Sequence, residues 1–461
     1  MDFETIKEFI SNKISKMAPV RLIINSFIII IIFGTIILSM PFSSKGSAIP
    51  VIDAAFTATS ATCVTGLSLY DTFTQFTFVG QLTILILIQL GGLGLATFTT
   101  AFVLLFRRKI GYKNLILYSE ASGGDSLDVY FLLKIVVCVT FCCEFVGAGL
   151  LMIRFVPLFG ARGVWSAIFI AISAFCNAGF DVLGFIPGNS SMSYFADDAF
   201  VSLTVSALIF IGSLGFLVIQ DIYENKVVAT LKRKPTRRLS FHSQLCLRVS
   251  FVLLLVGAFF FFIFEYGNTL SEFTFFEKII VSIFQSVNTR TAGFASINIG
   301  AENDITKLLT VMLMFIGGSP GSTAGGIKVT TFVILMATVF STLKSNENVN
   351  FLRHRFEKKT VNKAVTVIFL GFTITVIDLL VLLFFNHFDS TLDTLFEVVS
   401  AFATVGLSAG ITSDLNLVGK LTIIVTMFLG RVGPVSFFLA ILLKPKKLGE
   451  AIFPEGRILI G

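Results

Sequence analysis

Four short stretches hold the residue types and spacings from which chemistry could be built. They are Thr62-Cys63-Val64-Thr65-Gly66, Cys176-Asn177-Ala178-Gly179, Thr289-Arg290-Thr291-Ala292-Gly293 and Ala403-Thr404-Val405-Gly406. Their glycines stand 113, 114 and 113 residues apart, and self-similarity at a fixed period marks a repeat architecture. A dehydrated cation needs several oxygens at once, and rings of backbone carbonyls can replace its water shell. Carbonyls turn toward one axis only in unusual backbone conformations, which glycine adopts without steric cost. A short apolar segment precedes each turn; as a helix it would aim the negative end of its dipole there, which favours a cation. One such glycine alone could serve close helix packing in a membrane. Four at constant spacing point to cation coordination.

The elements that must position these turns are membrane elements. The chain has 461 residues, of which 55% are hydrophobic and 14% charged, with a mean hydropathy of +0.89; soluble domains carry about 25% charged residues. Several apolar runs reach the roughly 20 residues that cross a bilayer as a helix. Residues 1–17 mix both charge signs and lack the apolar core of a cleaved signal peptide. The six cysteines form no C-x-x-C pair and the three histidines are far apart, which argues against a disulfide framework, a zinc site or a histidine-centred enzyme.

Each unit reads as span, half-span, polar turn, span. The first has Val20–Met40, Asp53–Thr62 and Leu82–Phe106; the second Val129–Phe155, Val164–Cys176 and Phe200–Ile222. The third has Leu245–Glu265, Phe273–Val287 and Ile305–Leu343; the fourth Val361–Phe385, Leu392–Ala403 and Val418–Leu443. The half-spans are too short to cross and read as re-entrant. The repeats are expected at 1–115, 116–240, 241–350 and 351–443, with a tail at 444–461. The fold expected is an all-α polytopic membrane protein of eight transmembrane helices and four re-entrant pore helices around one pseudo-fourfold pore.

Basic residues mark one side. They cluster before the first span (Lys7, Lys13, Lys16, Arg21) and after each unit (Arg107, Arg108, Lys109 and Lys113; Lys226, Lys232 to Arg238; Lys344, Arg353 to Lys363; Lys444, Lys446, Lys447 and Arg457). The positive-inside rule makes these ends cytoplasmic, with both termini inside. The net charge of +7 is thereby a matter of topology and not of nucleic acid binding. Acidic residues such as Asp53, Asp71, Asp181, Glu272 and Asp393 fall on the other face, where they would concentrate cations. The basic runs 226–238 and 353–363 read equally as lipid-headgroup anchors or as docking surfaces for a cytosolic partner.

The second span of the third unit is interrupted by Gly317-Gly318-Ser319-Pro320-Gly321-Ser322-Thr323-Ala324-Gly325-Gly326. Five glycines and a proline in ten residues cannot remain a regular helix, and broken backbone at membrane depth lines a cavity or is buried in protein. G-x-x-x-x-G-K-[ST] fails here, because Ile327 separates Gly326 from Lys328. Arg431 lies inside the last span, where a charge costs at least about 2.5 kcal/mol and should face the pore or a partner. It is either a barrier to cations or a clamp satisfied by loop carbonyls. Arg290 is expected to brace the third turn through an acidic neighbour. Gly91-Gly92-Leu93-Gly94 and Gly212-Ser213-Leu214-Gly215 are expected to let second spans pack closely.

With these motifs assembled, the sequence resembles the Trk/Ktr/HKT superfamily of K+ transporters over essentially its whole length, and most of all the membrane subunits of bacterial Ktr systems. The resemblance rests on the four turns, on Asn288 to Phe294, on Gly318 to Lys328 and on the C-terminal Phe453-Pro454-Glu455-Gly456-Arg457-Ile458-Leu459-Ile460-Gly461. It implies a selectivity filter made by the four turns, with a span-pore-span repeat like that of K+ channels. Only the front half of the K+-channel signature TVGYG is present, in Cys63-Val64-Thr65-Gly66-Leu67, so fewer ordered ion sites are expected. Glycine at all four filter positions implies K+ as the transported ion, since serine at the first goes with Na+ in that family. Residues 317–326, with Lys328 and Arg431, would be the gate. The resemblance further implies Na+ as activator, a homodimer with tail contacts, and a bacterial inner-membrane location. It also implies a cytosolic, octameric KtrA-type ring of RCK domains that carries the nucleotide, ATP or ADP. The rival readings are a broken-helix secondary transporter for another small cation or solute and a membrane enzyme built on Glu144, Asp221 or Asp378.

Overall fold

The computed structural model describes residues 19–94, 129–186, 191–228, 238–346, 348–386 and 388–442, together with 230, 233 and 235. Expectations placed on residues 1–17, 107–113, Lys232, Lys234, Arg237 and the tail 444–461 lie outside the described residues.

Each unit opens on a long apolar helix: α1 at Pro19–Ser39, α4 at Val129–Phe159, α8 at Phe241–Glu265 and α12 at Lys358–Asn386. All four are long and apolar enough to cross a membrane. Each is followed by a short helix: α2 (Val51–Cys63), α5 (Ala161–Phe175), α9 (Phe275–Asn288) and α13 (Thr391–Ala403). At 13 to 15 residues they span about 20 Å, short of the roughly 30 Å hydrocarbon core. Their starts are encoded locally. Asp53 and Asp393 sit in first turns, where the dipole favours an anion, and Thr274 with Glu277 closes a capping box on α9.

The second spans of the second and fourth units are broken as well as that of the third, which corrects the expectation of a break in the third unit alone. Helix α3 (Phe78–Leu93) ends at Gly94 with φ +73°, inside the segment expected to run on to Phe106. Helices α6 (Ala199–Ser213) and α7 (Phe216–Ile222) meet at Gly215, φ +89°, with a bend of 98°. Helix α10 (Asp304–Phe315) leads through the 317–326 loop to α11 (Val329–Leu343). Helix α14 (Leu417–Val432) stops at Gly433, φ +87°, before α15 (Pro434–Leu442). The physical reason is shared: the last glycine of GGLG, GSLG and GRVG takes a positive φ, which a right-handed helix cannot carry forward. A hairpin of β1 (Asn350–Phe351) and β2 (His354–Arg355) joins units three and four, so the boundary expected at 350/351 falls inside β1.

Sorting of side chains follows this plan. Phe56, Phe169, Phe284 and Phe396, on the four short helices, are fully buried at the centre, whereas Phe145, Phe276 and Leu343 are 82%, 77% and 76% exposed on the periphery. A soluble protein rarely shows so broad an apolar exterior. It is the exterior of a multi-pass membrane protein.

Candidate functional site

The four turns have one backbone solution. Two residues before each glycine, Val64, Asn177, Thr291 and Thr404 lie in the left-handed region at φ 57°, 60°, 77° and 51°. The glycines follow at φ 98°, 71°, 76° and 91°. Valine and threonine are outliers in that region, and strain of this kind collects at functional sites. It is held by hydrogen bonds back to the short helix: Thr65 N donates to Ser60 O (2.8 Å), Ala178 N to Ser173 O (2.7 Å), Ala292 N to Asn288 O (3.0 Å) and Val405 N to Ser400 O (2.8 Å). The Ser60 and Ser400 hydroxyls accept from Gly66 N and Gly406 N, both at 3.1 Å. These serines were not singled out from the sequence, although the shared S-x-x-x-x-x-G spacing carries the signal.

The turns close a ring. A methyl built on Gly66 would lie 2.6 Å from the Ala178 carbonyl, and one on Gly179 2.6 Å from that of Ala292. One on Gly293 would strike the Val405 carbonyl, and one on Gly406 the Thr65 carbonyl. Chain order is therefore cyclic order around an axis, and each glycine is required because the next turn's carbonyl occupies its Cβ position. Thr62, Thr65 and Thr404 add buried hydroxyls with no protein partner. Cys63 and Cys176 are buried as well, and Ala403 packs within 3.3 Å of the place a Gly326 methyl would take.

Second spans back the turns through glycine. Methyls on Gly91, Gly212 and Gly430 would collide with the carbonyls of Thr62, Phe175 and Phe402, each the residue four before the glycine of its turn. At the ends of the short helices, ion pairs join neighbouring units: Lys420 to Asp53 at 2.6 Å and Lys307 to Asp393 at 2.8 Å.

The interrupted loop lies directly under this ring. Thr289 is buried, its hydroxyl donating to Ser286 O at 2.9 Å. Arg290 is buried and donates to Ser250 O (2.9 Å), Ser250 Oγ (3.3 Å) and Gly317 O (3.2 Å). The acidic brace expected for it is replaced by carbonyls and a hydroxyl, because no carboxylate reaches this depth beside it among the described residues. Ser319 N donates to Ser213 O at 3.0 Å, and Gly321 O accepts from Phe216 N at 2.9 Å, which fastens the loop to the break in unit two. The Thr323 hydroxyl is within 3.2 Å of Phe175 O and Asn177 Oδ1 and 3.0 Å from Gly212 O. Gly318 packs against Ala324 and Ser322, and Gly325 against Thr404; Pro320 O faces Gly215. Lys328 Nζ donates to Ala324 O at 2.6 Å. The Arg431 guanidinium donates to Thr323 O, and also to Gly91 O at 2.5 Å and Gly92 O at 3.3 Å. It thus meets the loop and the first unit together, wholly through carbonyls.

The three acids that an enzyme could have used do not converge. Glu144 accepts from Gln89 (3.0 Å), Asp221 from Asn225 and Ser240, and Asp378 from Thr426 (2.6 Å). Among the described residues no group of three His, Cys, Asp or Glu could hold a metal.

Known proteins resemble this chain. The model of the family TrkH, described as cation transport protein, matches residues 11–448. The chain belongs to the TrkH cation transport family. It is 37% identical to the potassium/sodium uptake protein NtpJ of Enterococcus hirae, covering 97% of this chain and 98% of that one. It is 36% identical to the Ktr system potassium uptake protein B of Bacillus subtilis, covering 97% of both. The crystal structure of the potassium transporter TrkH from Vibrio parahaemolyticus superposes with a TM-score of 0.70 at 19% identity, over 92% of this chain and 85% of that one. A TrkH-family protein is a transporter and not an enzyme, and this one is Ktr-like over nearly its full length.

Proposed function

We propose that the chain is the K+-translocating subunit of a Ktr-type uptake system in the bacterial inner membrane, with both termini cytoplasmic. The observation that carries this is the ring closure: Thr65, Ala178, Ala292 and Val405 each set a carbonyl against the glycine of the preceding turn in the cycle. In this reading the carbonyls around Val64–Gly66, Asn177–Gly179, Thr291–Gly293 and Thr404–Gly406 replace the water of K+. The orphaned hydroxyls of Thr62, Thr65 and Thr404 fit the same chemistry. Residues 317–326 form the gate, held shut by Arg431 and Lys328. Relatives named as potassium uptake proteins support the choice of ion. Na+ stimulation, a homodimer and control by a cytosolic nucleotide-binding ring complete the proposal, on family resemblance.

The test is cation flux into proteoliposomes holding this chain, with K+, Rb+, Na+ and Li+ compared beside Gly66→Ser. K+ flux above Na+ flux, eroded by the serine, is the expected result. If flux is absent, the cytosolic ring is added before judging. Equal Na+ and K+ flux, unmoved by the serine, would overturn the filter and favour a broken-helix transporter, a reading for which the breaks at Gly215 and Gly433 give structural grounds.

A further inference from the structure

A cavity of about 350 Å3 lies away from the cation path, between α8 and α11 and beside β1. Its long wall is apolar: Val249 from α8, and Phe332, Met336 and Phe340 from α11. Its far end is polar, with Lys344 and Asn350, both exposed. Arg355 stands opposite Asn350 in the hairpin register and is exposed too, which sets a second cation one strand away from the polar end. From Phe332 to Lys344 the chain advances about 18 Å at 1.5 Å per residue, close to the roughly 15 Å depth of one leaflet's hydrocarbon. An apolar trench one leaflet deep, with one cation at its polar end and a second one strand away, has the shape and charge of a lipid.

We propose that this slot holds one acyl chain of an anionic glycerophospholipid from the gate-side leaflet, with its phosphate at Lys344 and Arg355. A soluble partner could reach only the rim, because the trench wall lies along a helix whose neighbouring Leu343 is among the most exposed apolar residues. The basic run that begins at Arg353 thereby gains a role as a headgroup anchor. The position matters for the rest of the molecule. Val333 in the trench wall belongs to a cluster with Leu245 and Val329, on which Ile316 packs, and Ile316 bridges to Ile327 across the neck of the 317–326 loop. A seated chain therefore braces α11 against α8, the helix whose Ser250 holds Arg290.

The experiment uses the full chain in vesicles doped with a phosphatidylglycerol or a phosphatidylcholine that carries a photoreactive acyl chain, and maps the labelled peptides. Label is expected on residues 332–351, with the anionic probe favoured roughly fivefold for each basic residue engaged. Ala337→Trp, which fills the slot, should remove that label, while Phe369→Trp on the exposed face of α12 should not. Lys344→Gln with Arg355→Gln should bring the anionic probe down to the level of the zwitterionic one. Equal labelling by both probes in the natural chain, or label untouched by Ala337→Trp, would overturn the proposal. Should the tryptophan variant fail to fold, the charge pair decides. None of these outcomes depends on whether the four turns select K+.

Discussion

Lys307 Nζ lies 2.8 Å from Asp393 across the seam between the third and fourth units, and Lys420 with Asp53 repeats the contact at 2.6 Å across the seam between the fourth and first. Each lysine follows its filter glycine by 14 residues, and each aspartate precedes its own by 13. One repeat position therefore staples neighbouring units beside the filter ring. At the seam between the first and second units a neutral bond stands nearby, Trp165 Nε1 donating to Gln81 Oε1 at 2.8 Å. Asp393 is itself mostly buried, so removing Lys307 leaves a poorly solvated carboxylate without its partner, at a cost of up to about 3–5 kcal/mol. Lys307→Met should lower the melting temperature and erode discrimination between K+ and Na+. The exchange Lys307→Asp with Asp393→Lys should recover most of both; thermal unfolding and paired flux assays check this, and a double exchange no better than the single change would deny the staple.

Arg431 joins the loop to the first unit through carbonyls alone. A hydrogen bond to a charged group contributes about 1.5–3 kcal/mol, so its loss should loosen the shut loop by roughly tenfold or more. Arg431→Gln is expected to raise K+ flux by about that factor in vesicles without a cytosolic partner. Unchanged flux beside a lowered melting temperature would make the residue a clamp and nothing more.

Close approach of second spans to the short helices gives a graded prediction for glycine. At Gly91, Gly212 and Gly430 a methyl meets backbone carbonyls that cannot rotate away. Alanine there should destabilise by about 1–3 kcal/mol through overpacking. At Gly149, where nothing lies within 4 Å, alanine should be neutral or stabilise by up to about 1 kcal/mol. Chemical denaturation of the four variants in one detergent separates the two classes.

Glu302, in the loop before α10, has its carboxyl pushed up to about 8 from the ordinary 4.5; burial is the main cause, and Glu265 adds to it against the pull of Lys307. Below pH 4.5 the group is protonated in folded and unfolded chains alike and is without effect. As pH rises through the window between 4.5 and about 8, the unfolded chain ionises while the folded chain holds its proton, so stability falls and the loss is complete above that window. Glu302→Gln should therefore match the natural chain near pH 4.5 and exceed it by roughly 2–5 kcal/mol at pH 9. Melting curves across that range test the sign, and a stability gap independent of pH would contradict it.

What the sequence determined by itself was everything that repeats. Glycines at constant spacing, short apolar segments before them and long apolar segments around them name the four units, their order and the residues of the four turns, because local backbone need and hydrophobic length are written in residue type. Gly317–Gly326 was legible as a break for the same reason, five glycines and a proline leaving no helix possible. The turns at Gly94, Gly215 and Gly433 were not: two or three glycines in an apolar run are tolerated where membrane helices pack closely, and only packing decides which of them turns. Nor could residue type tell that Arg290 would meet Ser250 and Gly317 in place of a carboxylate, or that Arg431 would join Thr323 to Gly91 across 340 residues. Arg290's partners are fixed by packing within the third unit, and those of Arg431 by closing four units into a ring, which sets the second span of one beside elements of its neighbours. A chain read from end to end states what each unit needs; which unit supplies it is settled only when the ring closes.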